Sequence, residues 1–222
     1  LPLFGVLPGG SWLLPLVAPL TLWPVFSTAV RGRRYGSAFA FGVVWATLLS
    51  AGTILFTQLA PRTAGTAILN AEPYRQEMFS WIETGVGKEN EPAEFLPEHL
   101  LHLGLFVLLT YATGGYLGLA LGAALVGYMS YFVGSFAAST GAPIAAALAA
   151  WVPWSVVRVL AFVALGSVLA RPLLVRERWG MGDREWRWMG WAAIGIAIDL
   201  ACKSLFAPAY GRFLRELLER AA

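Results

Sequence analysis

Charged side chains are scarce in this chain, 13% of residues against about 25% in a typical soluble domain. That shortage argues against a water-soluble globule. Sulfur chemistry is scarcer still. Cys202 is the one cysteine, so neither an intrachain disulfide nor a thiolate cluster can come from this chain alone. Histidine occurs twice, as His99 and His102, which leaves little for metal or haem chemistry. The two stand within one helical turn and cannot flank one haem iron. Catalytic signatures are also missing. There is no HExxH, no GxSxG with a usable histidine, no Walker A sequence and no GxGxxG after a strand. Nothing in the sequence specifies a cofactor or pigment.

What the chain has instead is apolar length. Of its 222 residues 58% are hydrophobic, and mean hydropathy is +0.64. The ten tryptophans suit the membrane interface, where the ring is buried and its N–H stays wet. A net charge of +3 requires no nucleic acid partner, since cytoplasmic loops of membrane proteins collect Lys and Arg. The opening Leu1-Pro2-Leu3-Phe4 carries no basic n-region, so no signal peptide is expected in the residues shown.

A crossing helix needs roughly 20 mostly apolar residues. Six segments qualify, near 12–30, 37–59, 99–113, 116–139, 144–170 and 188–208. The expected fold is therefore all-α, a polytopic helical membrane protein of about six spans in a single domain. Pro15, Pro19 and Pro24 predict a kink in the first span, and Pro153 another in the fifth. The apolar run from 99 to 139 is about 60 Å long as helix, enough for two crossings. Thr113-Gly114-Gly115 is its expected turn. Gly114, Gly118 and Gly122 form a GxxxGxxxG series, read as close helix packing within the chain, or else as a homodimer contact.

The polar segment 62–98 has three basic residues against seven acidic ones, a net of −4. Its carboxylates read as a solvated face. Within it, Tyr74, Met78, Trp81 and Ile82 recur at helical spacing, which predicts an amphipathic helix on the membrane surface or against the bundle. Asn70 is the expected cap of that helix. Arg31-Gly32-Arg33-Arg34 and the stretch from Arg171 to Arg187 are strongly basic, and six spans put both on one side, away from the acidic segment. The topology expected is both termini outside, in an energy-transducing or plasma membrane such as the bacterial inner membrane. A basic tail with Arg212, Arg215 and Arg220 is the discordant piece.

Ionisable residues inside spans mark sites. Arg158 lies 13 residues before Arg171, and Asp199 lies 12 after Arg187. Both distances convert to roughly 18–20 Å, which sets the two residues at one level near mid-membrane. Lys203 is one turn beyond Asp199 and expected to pair with it directly. The Arg158, Asp199 and Lys203 network either locks two helices together or forms an ion, proton or headgroup site. Asp199 and Lys203 share their spacing with the last helix of microbial retinal proteins. The resemblance stops there, because those proteins have seven spans and an earlier Arg–carboxylate helix that this chain lacks. Glu98, His99 and His102 form a second cluster, a weak metal site or a hydrogen-bonded interface anchor.

Two functions follow as expectations. The first is a non-catalytic integral membrane subunit of a larger assembly, docked through the acidic segment, with lipids and other membrane subunits (or further copies of itself) as partners. The alternative is a small ion or solute transporter or channel using Arg158, Asp199 and Lys203. An intramembrane enzyme ranks third.

Overall fold

A computed structural model describes residues 10–140, 142–176 and 180–221. The opening Leu1–Phe4 and residues 177–179 of the second basic stretch lie outside the described residues. All regular structure among the described residues is helical. Five helices are long and apolar enough to cross a membrane, or six if one bent pair counts as a single crossing.

The bent pair joins α1 (Leu13–Val17), through a short 3-10 turn at Ala18–Thr21, to α2 (Trp23–Arg31). The two arms meet at 53°. Pro19 and Pro24 remove amide donors on either side of the bend, so the hydrogen-bond ladder cannot run through it. Helix α3 (Tyr35–Leu59) ends before Pro61, and α4 (Pro61–Ala67) follows it. Helix α5 (Ala71–Thr84) is the amphipathic helix of the acidic segment. It buries Met78, Trp81 and Ile82, while Tyr74 stacks on Tyr128 and Phe132. Asn70 does stand at its start, but without a side-chain cap. It adopts the left-handed conformation (φ 58°), which Asn tolerates better than most residues.

Helix α6 (Pro92–Thr113) begins seven residues before the segment expected from hydropathy, because Pro92 opens a turn that polar residues can enter. Helix α7 (Tyr116–Ala138) returns antiparallel to it. Gly114 and Gly115 join them with φ of 59° and 94°. Both values lie where L side chains are strained, so a two-glycine turn is what lets the hairpin close so tightly.

The expected fifth span is broken. Helix α8 (Pro143–Ala150) spans only about 12 Å and cannot cross alone. The residue before a proline is driven out of the helical region, and Val152 is extended ahead of Pro153. The length and apolarity needed to cross a membrane are found instead in α9 (Pro153–Leu169) continued by α10 (Arg171–Val175). Helix α11 (Asp183–Glu219) runs for 37 residues without interruption, so the expected sixth span and the basic tail are one helix, through Pro208.

Both basic turns meet at one end of the bundle. The Arg184 guanidinium donates to the carbonyl of Arg33, and the Tyr35 hydroxyl donates to Glu185 at 2.6 Å. At the opposite end α5 packs against α7 and α11, and the Arg215 guanidinium donates to the Ile82 carbonyl at 2.7 Å. The basic tail is thus partly engaged with the acidic segment.

Close helix approach depends on particular glycines. A Cβ on Gly134 of α7 would stand 2.8 Å from Thr57 Cβ and 3.1 Å from the Ile54 carbonyl of α3. Backbone cannot swing aside as a side chain can. Gly134→Ala is expected to destabilise the protein by about 1–3 kcal/mol, read as a lower unfolding temperature in detergent. Gly36→Ala is the control, since nothing stands within 4 Å of its added carbon. Equal unfolding temperatures for the two variants would remove the argument.

Candidate functional site: a crevice between apolar helices with a charged end

The helices do not close completely on one another. Between α3, α6, α7, α9 and α11 runs a narrow crevice that encloses about 90 Å³. Along α6 it extends from His99 to Thr110, and along α7 from Gly115 to Met129. Those stretches are roughly 16 and 21 Å long, more than half of a hydrocarbon core about 30 Å thick. Phe26 and Gly166 mark the end near the basic turns. Trp45, Phe106 and Phe162 line the middle. The other end is polar, with His99, His102, Tyr128, Arg158 and Asp199. Leu100 on the rim is 56% exposed, so the polar end reaches the outside of the bundle there.

Arg158 on α9 and Asp199 on α11 meet side-on. The Arg158 Nε donates to one Asp199 oxygen at 2.7 Å and its Nη2 to the other at 2.9 Å. The Asp199 side chain is 2% exposed. A lone buried carboxylate would be prohibitive, and the bidentate guanidinium makes it tenable.

Lys203 does not pair with Asp199. Its ammonium donates to Glu89 at 2.8 Å and lies 4.5 Å from the centre of the Phe95 ring. Lys203 is buried and Glu89 nearly so, with side chains 3% and 12% exposed. The physical reason is reach. The loop after α5 folds down over the bundle and brings a second carboxylate to the lysine, so each acid takes its own base. The carboxylates of segment 62–98 are therefore not uniformly a solvated face. Glu77 and Glu98 do lie near the surface, both within 3.5 Å of Lys88, and hold its ammonium above the ordinary lysine range, Glu77 foremost.

Glu98, His99 and His102 do not converge. Among the described residues no three of His, Cys, Asp and Glu are grouped to hold a metal ion. Glu98 turns to Lys88, while His99 turns inward. Its Nδ1 is 2.8 Å from the Phe95 carbonyl and its Nε2 is 4.0 Å from Asp199 Oδ2. A carbonyl only accepts, so in the neutral ring Nδ1 carries the hydrogen and Nε2 presents a lone pair. That Nε2 is buried and unpartnered. So is Thr110 Oγ1, further down the same wall.

The glycine series divides by role. Gly114 forms the turn, and Gly118 sits against Thr110 so closely that a Cβ would collide with its hydroxyl. Gly122 is not a packing glycine. Nothing stands within 4 Å of a Cβ built there, because its face of α7 opens onto the crevice. Spacing alone does not distinguish a glycine that admits a helix from one that leaves a space. No family model, curated protein or solved structure matches the chain.

Proposed function

We propose that the protein is a small transporter or carrier that takes an amphiphilic solute out of the bilayer into the crevice between α3, α6, α7, α9 and α11. The observation that carries this reading is the crevice's polarity. It is apolar over most of its length and ends on a buried Arg158–Asp199 pair beside an unpartnered histidine nitrogen. A lipid tail gains little by leaving hydrocarbon for an apolar wall. Selective binding has to come from the head, and the polar groups are gathered where a head would sit. The subunit reading drew in part on an acidic segment suited to docking. That segment is folded onto its own bundle through Trp81, Glu89 and the Ile82 carbonyl. In this proposal the protein resides in a plasma membrane, with the basic turns cytoplasmic and the acidic segment outside.

Gly122→Leu tests the proposal. Its Cβ meets nothing within 4 Å, and the rest of the side chain is directed into the crevice. Amphiphiles extracted with the purified protein, quantified by mass spectrometry, are expected to fall at least about tenfold, with unfolding temperature unchanged. The same complement of bound amphiphiles in variant and parent would sink the carrier reading.

A further inference from the structure

We infer that the crevice takes an amphiphile with an anionic head together with one proton, the head on Arg158 and the proton on Nε2 of His99. The inference rests on the crevice reading above and names its substrate class.

Three observations lead to it. First, Arg158 has donors left over. Nε and Nη2 serve Asp199, whereas no described residue bonds Nη1, and the side chain keeps 20% exposure in the crevice wall. A planar guanidinium with open N–H groups is the natural partner of a carboxylate, sulfonate or phosphate head. A cationic head would be repelled there, and a neutral head forgoes the charge-assisted bond.

Second, the charges at this end already balance. Arg158 pairs with Asp199 and Lys203 with Glu89. One anion added to that set leaves a net negative charge in a low-dielectric site, which is costly. One proton restores neutrality.

Third, a place for the proton exists. His99 Nε2 points its lone pair toward a carboxylate oxygen 4.0 Å away, acceptor facing acceptor. Protonated, the same nitrogen becomes a donor toward Asp199. The proton comes from the medium and returns to it on release, with no bond made or broken in the solute.

The other groups around His99 are less suited. Glu98 and Glu77 are engaged with Lys88, and Glu89 with Lys203. Tyr74 on α5 stays protonated, because burial and then Glu89 push its phenol well above the usual range. Tyr128 on α7 has only a phenol to offer. His102, one turn along α6, is the rival base.

The test uses the full chain in nanodiscs of zwitterionic phosphatidylcholine, titrated calorimetrically with hexadecanesulfonate. That head keeps its charge from about pH 5 to 8, the range in which histidine switches. Repeating the titration in buffers of different ionisation enthalpy counts protons. One proton taken up per sulfonate, with affinity falling about tenfold per pH unit above the site's transition, is the expected result. His99→Gln is expected to flatten that dependence, and His102→Gln to change it less. His99→Asn serves as the second variant should the first melt early. Three results overturn the inference: an unchanged pH slope in both His99 variants, binding without proton uptake, or hexadecanol or hexadecyltrimethylammonium bound as tightly as the sulfonate. If none of the three amphiphiles binds, the carrier reading fails with it.

Discussion

Asp199→Ala is expected to destabilise the protein by about 3–5 kcal/mol, among the largest single-residue effects in this fold. The loss comes from what remains behind. Removing the carboxylate leaves the Arg158 guanidinium in the crevice wall without a counter-charge, on a helix packed extensively against α11. Removing both charges is a different experiment. Asp199→Ala combined with Arg158→Met trades an ion pair for apolar contact, and such replacements are commonly neutral or stabilising. The double variant is therefore expected to recover most of the lost stability while binding no anionic amphiphile. Thermal unfolding of the four-member cycle in one detergent gives the answer. If the single and double variants melt together well below the parent, the deficit lies in packing and the ion pair is incidental.

Lys203→Met is expected to cost about 3 kcal/mol, the lower end of the range for a broken buried pair. The discount reflects where the partner sits. Glu89 is carried by the short connection between α5 and α6, which can swing its carboxylate into water once the ammonium is gone. The change should thus show twice, as a lower unfolding temperature and as faster amide exchange over residues 85–91. Glu89→Gln added to Lys203→Met removes the stranded charge and should restore more than half of the stability. Unaltered exchange over 85–91 in Lys203→Met would mean that Trp81, whose indole N–H donates to Asn90, holds the loop without the lysine.

Hydropathy and spacing carried the sequence reading a long way where the deciding physics is local. An apolar run of the right length becomes a helix because the alternative exposes amide groups to hydrocarbon. The face of Tyr74, Met78, Trp81 and Ile82 follows from helical period. Arg158 and Asp199 are level because helix rise is constant, so counting from the basic stretches was enough to align them. What escaped is non-local. Seven similar glutamates fill the acidic segment, and nothing in their spacing sets Glu89 apart. Its partner lies 114 residues away. The inward turn of His99 and the empty space beside Gly122 are likewise properties of how five helices meet. The break at Trp151-Val152 had a local signal in Pro153. A kink and a full stop share that signal, and the surrounding packing decides between them.

Helix α11 has a mechanical consequence. As a single rod of about 55 Å, it binds Tyr35 through Glu185 near one end and the Ile82 carbonyl through Arg215 near the other. Asp199 lies between these two attachments. A push on the α5 end is carried along this helix toward the basic turns, past Asp199 in the crevice wall. Pro208, between Asp199 and Arg215, is where the rod has given up a backbone hydrogen bond and is easiest to bend. The α5 end of the protein and the far end of its crevice are joined by one lever, hinged on the α5 side of its charge.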